Sequence, residues 1–312
     1  MSKVQESKLQ QAREYIATQG RDLELARFDF LFQNGSREEV IEQLKHYQNE
    51  DGGFGHGIEP DFWLPASSAI GTWTAGQILF EIGADRDEPV VSRMLDYLVK
   101  TADTDTGMWE TVQPANNEYP HAPWWHWQER AQDNWMFNPG AELAAFLVHW
   151  SEAGSEAAQT GWDSIEKAVS YLMEQSEMDW HEINNFLQMI KILSPQEQEF
   201  NLKLPFSLNS VTEKVLSLAE QAVDRNVSEW GKGYKPLPLD FIDTPESPLC
   251  ERFGTLVEQN LSHYLEAMDE DGVWDITWSW GMYPEEAETA KRHWKGILAV
   301  RRYKLFKAFG YL

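Results

Sequence analysis

One cysteine, Cys250, stands in 312 residues, so no intramolecular disulfide can form, which suits a reducing compartment. Long apolar runs are also missing. No stretch reaches the length of about 18 residues that a spanning helix needs, and the opening Met1-Ser2-Lys3-Val4-Gln5-Glu6 has no apolar signal region. A membrane span and signal-peptide secretion are therefore not expected, and a cytoplasmic location is. Basic residues are scarce: 26 Lys and Arg stand against 51 Asp and Glu, a formal charge of −25, with no Lys/Arg block to gather a polyanion. Nucleic acid is not an expected partner. Strand signals are lacking too, since β-branched alternation between hairpin turns occurs nowhere and the one Asn-Gly pair, Asn34-Gly35, lies between two helical patterns.

Aromatic residues are abundant, at 13% with 15 Trp among them, within a hydrophobic content of 42%. That is more indole than a core alone requires, so some rings are expected to line a cavity. The length exceeds the commonest domain size of roughly 100–150 residues, yet closed barrels often run longer as one unit. A single domain over 1–312 is the expectation.

Helical periodicity runs from end to end. Leu9, Ala12 and Ile16 share a face, and Ser36 with Glu39 forms a capping box before Val40, Ile41, Leu44 and Tyr47. Asp87 with Pro89 marks the start of a helix carrying Val91, Met94, Leu95 and Leu98, and Asp163/Glu166 and Ser210/Glu213 repeat the cap-plus-acid signature. A degenerate repeat overlies these helices. Asp51-Gly52-Gly53-Phe54, Thr106-Gly107-Met108-Trp109 and Asp271-Gly272-Val273-Trp274 each set an aromatic two residues after a glycine that ends an amphipathic helix, with weaker copies at Trp180 and Trp230. Glycine supplies the left-handed turn that stops the helix, and the ring can fold over its end.

Small-residue segments follow the long loops, as at Ala66–Gly76 and Gly140–Ala145, and suit closely approaching inner helices. The pattern predicts an all-α fold, an (α/α)5-6 toroid of helical hairpins around a central cavity. Its units run roughly 21–82, 87–150, 163–193, 208–250 and 255–310, with inner helices including 66–82, 139–150, 182–193 and 287–307. Long loops then gather at one end.

Gln48-Asn49-Glu50-Asp51-Gly52-Gly53-Phe54-Gly55, followed by Glu59-Pro60 and a helix with Thr72, Thr74 and Ala75, resembles a repeat of protein prenyltransferase β-subunits. The stretch Asp269–Trp274, then Trp278–Gly281 and Trp294–Leu298, is similar to the repeats of squalene-hopene-type terpenoid cyclases. The resemblance implies a toroid whose cavity holds an isoprenoid. The chain departs from both chemistries: it has no Asp-x-Asp-Asp acid motif, and Pro248 stands two before Cys250, where the prenyltransferase zinc site carries an acid.

The longest connection, about 101–137, holds Glu118 to Arg130 with Tyr119, His121, Trp124, Trp125, His126 and Trp127, then Asp133 and Trp135. Loops of this length in a compact domain are usually functional or disordered, and one so dense in Trp is not expected to be disordered. His121 and His126 are candidate acid–base groups, or ligands beside Asp133 or Glu129, but their five-residue spacing is no metal signature and no metal is assigned. The plain alternative is a lid whose rings pack over the barrel. His56, Glu59 and Asp61 follow the first turn and are candidate general acids if Trp63 and Trp73 bury them, although Asp61 would also serve as a helix cap. In the third unit His181 and Glu182 hold the corresponding place. Trp274, Trp278, Trp280 and Tyr283, with Asp275, complete the candidate lining.

Three functions share these features. One is a terpenoid cyclase- or prenyltransferase-like protein holding a small, mainly apolar molecule in an aromatic, acid-rimmed cavity; the other is a carbohydrate-active α/α-barrel enzyme in which carboxylates flank a sugar. A non-catalytic binding scaffold is the third. The acids near the mouth favour a neutral or weakly anionic small-molecule ligand, and the cofactor requirement stays open.

Overall fold

The first helix of the chain shows how the periodic residues become structure: Ala12 and Ile16 are buried on one side of α1 (Glu6–Gln19), and polar residues face water on the other. The computed structural model describes residues 4–312. In chain order the helices continue as α2 (Asp22–Phe32), α3 (Arg37–Lys45), α4 (Ala69–Glu81), α5 (Pro89–Thr101), α6 (Gln132–Trp135) and α7 (Gly140–Trp150). They go on as α8 (Glu156–Glu174), α9 (Trp180–Leu193), α10 (Glu197–Lys203), α11 (Leu208–Ala222), α12 (Pro248–Phe253), α13 (Thr255–Glu266) and α14 (Pro284–Ala308). The fold is all-α. Among the described residues no strand forms, and extended pairing is limited to isolated antiparallel bridges.

Ser36 and Glu39 form the reciprocal box that their spacing predicts: Glu39 N donates to Ser36 Oγ at 3.2 Å, and Ser36 N to Glu39 Oε2 at 2.9 Å. Two other starts shift toward the N-terminus. Ser155, not Asp163, caps α8, and Ser207 lies one residue before α11, leaving Ser210 inside that helix. In both cases buried apolar residues begin earlier than the apparent cap, at Ala158 and Leu208, so burial extends the helix past a residue that locally could have started it. Asp61 likewise is not a cap. Ser68 accepts from Gly71 N and starts α4 seven residues later.

The repeated turn has a consistent construction. Asn49 N donates to Gly53 O and Gly52 N to Asn49 O, and Asp269 N to Val273 O and Gly272 N to Asp269 O repeat the pattern. Gly52 and Gly272 sit at φ 94° and 75°. Trp109 Nε1 then donates to Leu98 O at 3.0 Å, and Trp274 Nε1 to Tyr264 O at 2.7 Å, so each indole satisfies a carbonyl near the end of the preceding helix. Trp230 does the same for Asp224 O, whereas Trp180 is the first residue of α9.

The chain divides into two compact units. In the central one, Lys45–Ala222, α7 packs against both α8 and α9, with α4 and α5 on α7 and α11 on α9. Helix α7 is buried on every side, from Gly140 through Val148 and at Trp150. Small residues permit the approach: a Cβ on Gly161 would stand 2.8 Å from Ala144 O. The terminal unit comprises the chain up to Leu44 with Val223–Leu312. There α1, α2 and α14 pack on one another, and Phe28, Trp274, Tyr303 and Phe306 interlock as an aromatic core. No described helix is long and apolar enough to cross a membrane.

Candidate functional site

The Asp51-Gly52-Gly53-Phe54 turn is braced by side chains its own sequence supplies. Asp51 Oδ1 accepts from Gly53 N and Ser67 Oγ, Asn49 Nδ2 reaches Pro65 O and Ser67 Oγ, and Phe54 N donates to Thr72 Oγ1. Thr72 is thereby a structural acceptor. His56, at φ 56°, is exposed and bonded through Nε2 to Asn49 Oδ1 at 2.9 Å, so it belongs to this brace.

Beyond the turn the chain runs alongside the long loop. Phe62 and His121 form an antiparallel bridge, with Ala122 N donating to Asp61 O at 2.8 Å and Trp63 N to Pro120 O at 3.1 Å. Residues 59–63 and 119–122 thus form one two-sided ribbon. Glu59, Asp61 and His121 are buried in it, at 6%, 2% and 2% exposure. Trp63 turns its indole N–H to Pro60 O at 2.7 Å.

His121 Nδ1 lies 2.6 Å from Tyr119 O, a carbonyl that can only accept, so Nδ1 carries a hydrogen. Its Nε2 lies 3.1 Å from His126 Nδ1, and the two imidazoles lie edge to edge, their centroids 5.3 Å apart and their planes 22° from parallel. With both rings neutral, His121 Nε2 is the acceptor and His126 Nδ1 the donor. The remaining ring nitrogen, His126 Nε2, is therefore an acceptor on an exposed side chain. The order of hydrogen bonds fixes which nitrogen is basic.

The same loop carries several indoles. Trp125 is buried, stacked on Trp135 at 4.8 Å and 13° and tilted against Phe62 at 5.9 Å. Trp124, 38% exposed, and Tyr119 face solvent, and Trp127 is half-buried with its backbone N–H on Asn117 Oδ1. Asp133 is not turned to the histidines: it is exposed and paired with Arg130 at 2.5 Å. Trp73 also points elsewhere, donating its N–H to Glu142 Oε2 on α7 at 2.5 Å.

Glu142 and Glu182 are buried acids on the paired helices. Glu142 receives Trp73 and, at 3.1 Å, Gln77 Nε2, which makes it a bridge from α7 to α4. Glu182 accepts from Phe137 N at 3.0 Å, and Tyr171 Oη lies 3.5 Å from its other oxygen. Burial pushes the Glu182 carboxyl up to about 7 against the Phe137 hydrogen bond, with the Asp179 charge adding to the rise. The Tyr171 phenol is raised to about 12 by burial and by the Glu182 charge. The sequence offered Glu182 only as an equivalent of Glu59, and Glu142 not at all. Among the described residues no three His, Cys, Asp or Glu side chains converge as a metal site would require.

The last candidate segment belongs to the terminal unit. Trp274 and Trp280 are buried there, Trp274 beneath the Arg302 guanidinium at 5.1 Å. Trp278 meets Tyr234 and Trp294 edge-on, and Tyr283, at φ 48°, precedes α14. Asp275 pairs with Lys291 and Lys295. Trp274 thus serves as core and helix-end cap.

No protein-family model, curated protein or solved structure matches this chain. Its chemistry must be read from its own groups. The ribbon and its loop offer two buried acids, a hydrogen-bonded histidine pair with one acceptor nitrogen left over, and several indoles.

Proposed function

We propose that the chain binds a small, uncharged molecule through an apolar face at the aromatic ribbon of the central unit, and that His126 exchanges a proton with it there. The observation that carries this is the hydrogen-bond order from Tyr119 O through His121 to His126, which leaves Nε2 of an exposed imidazole as an acceptor in a loop that also carries Trp124, Trp125 and Trp127. On taking a proton at Nε2, His126 can pass its Nδ1 hydrogen to His121 Nε2, so the charge is shared by two rings. The recurrent Gly-turn-aromatic units and close-packed α4 and α7 support the wider proposal of a terpenoid cyclase- or prenyltransferase-like toroid over 1–312, with a small-molecule ligand as its partner.

A thermal-shift and calorimetric screen tests it, using neutral sugars, uncharged isoprenoids and prenyl diphosphates, each with and without magnesium. An uncharged class should bind, and His126→Gln should weaken that binding roughly tenfold, the worth of one hydrogen bond, with the unliganded melting temperature unchanged. Hits confined to diphosphates with magnesium, indifferent to His126→Gln, would sink the proposal.

A further inference from the structure

Where the long loop rejoins the helices, its last residues rest on buried polar groups of α9. Glu182 Oε1 accepts from Phe137 N at 3.0 Å, and one turn along the same face Asn185 Nδ2 donates to Asn138 Oδ1 at 2.9 Å. Both side chains are buried, and neither is fully served. Asn185 Oδ1 is shut off from solvent without a donor, and Glu182 receives neutral groups, the Phe137 N–H and, at 3.5 Å, the Tyr171 hydroxyl.

Among the described residues no cation pairs with Glu182. The charge that acts on it is Asp179, of the same sign, at the start of α9 and 3.0 Å from His181 Nδ1. Helix α8 presents Tyr171. The titratable groups of α7 are Glu142, bonded to Trp73 and Gln77, and His149, ring to ring with Phe80 and Trp150. On α11 stand Glu213, Glu220 and Lys214, the last donating to Gln175 O. Burial therefore outweighs the Phe137 bond and holds this carboxyl up at about 7, where in water it would ionise near 4.5.

The segment that Glu182 anchors is strained. Residues 130–137 begin at Arg130, φ 64°, and reach Met136, φ 46° and ψ −113°, a backbone region that glycine enters freely and methionine does not. Gln132 ties the segment down, its Oε1 accepting from Thr111 N at 2.8 Å and its Nε2 donating to Met136 O at 2.9 Å. Release of Phe137 N would relax Met136 and bring water to Glu182 and to Asn185 Oδ1. We infer that Glu182 is an acid-tightened latch: protonated, it keeps the end of this segment down on α9, and on losing its proton it lets that end lift and admit water. An ionised carboxylate gains more from the water than a neutral carboxyl does, so ionisation favours the open form. The loop so controlled carries His121 and His126, yet the latch needs no ligand and stands or falls apart from the role proposed for His126.

Hydrogen exchange of the full chain, followed by NMR at pH 5 and pH 7 and corrected for the intrinsic rise of exchange with pH, tests the latch. With the open form ionising near 4.5 and the closed form at about 7, the opening that frees Phe137 N–H should be roughly 40-fold more populated at pH 7 than at pH 5. In Glu182→Gln, which keeps an acceptor and cannot ionise, it should stay nearly constant. Phe137 N–H should also exchange faster than Leu147 N–H, buried within α7, at both pH values, because the latch opens while the core stays shut. A Phe137 opening that does not grow between pH 5 and pH 7 in the wild-type protein overturns the latch. So does equal exchange of Phe137 and Leu147, which would mean that only global unfolding frees the bond. The same pH response in the glutamine variant would assign it to another group and also overturn it; the wild-type comparison decides even where the variant does not fold.

Discussion

Replacing Glu182 with glutamine should stabilise the protein at pH 8 and change little near pH 4.5. Burial raises the Glu182 carboxyl from 4.5 to about 7, so the folded chain holds this proton more tightly than the unfolded chain does. Stability from this group is fullest below pH 4.5 and is lost as pH rises through 7, because there the folded state must carry a desolvated charge. The gap between 4.5 and about 7, at about 1.4 kcal/mol per pH unit, is worth roughly 3 kcal/mol. Glutamine keeps a neutral acceptor for Phe137 N, as the protonated acid does, and the loss of the charged bond to Phe137 N, 3.0 Å from Oε1, is already contained in the value of about 7. The net expectation is therefore about 3 kcal/mol in favour of glutamine at pH 8. Urea unfolding followed by helical circular dichroism, for both proteins at pH 4.5, 6, 7 and 8, measures it. A glutamine variant less stable than wild type at pH 8, or a difference that does not shrink on acidification, would refute the reasoning.

The turn glycines should differ sharply in tolerance. At Gly52, φ 94°, a Cβ would stand 2.1 Å from Arg93 O, whereas at Gly154, φ 81°, it would meet nothing within 4 Å. Gly52→Ala is thus expected to cost at least about 2 kcal/mol and Gly154→Ala about 1 kcal/mol, and thermal melts that rank them otherwise would dismiss the close-approach account. His293, in the terminal unit, is held down to about 4 by burial and by the Arg21 charge. The unfolded chain therefore takes that proton first, near 6.5, and stability is lost as pH falls from 6.5 toward 4. An NMR titration placing the His293 midpoint near 6.5 would contradict this.

Much of the helical layout was legible because it is written in short windows. The Ser36/Glu39 box, Pro89 at the start of α5 and the glycine turns all depend on residues within a few positions of one another, so the same local chemistry acts in sequence and in structure. Asp163 and Ser210 misled for the complementary reason. Each can cap a helix locally, but apolar residues upstream bury against neighbouring helices and carry the helix through.

The candidate site was legible in its residue types and not in their pairings. His121, His126 and the loop indoles stand out in the sequence by density, yet the basic nitrogen of His126 follows from Tyr119 O and His121, an order that only the folded loop provides. Trp109, Trp125 and Trp274 are one residue type. Two, in the repeated turn, bond a helix carbonyl, and one, in the long loop, is left with an unbonded N–H. Glu142 gave no signal, since its donors, Trp73 and Gln77, lie 69 and 65 residues away. By itself the sequence determined the all-helical class, the repeated turn and which segments are rich in chemistry, because hydrogen bonds and periodicity at short separation decide those. Tertiary structure alone decided which acids are buried, which indole lacks an acceptor and which ring nitrogen is basic, because desolvation and hydrogen-bond partners come from residues that only packing brings together.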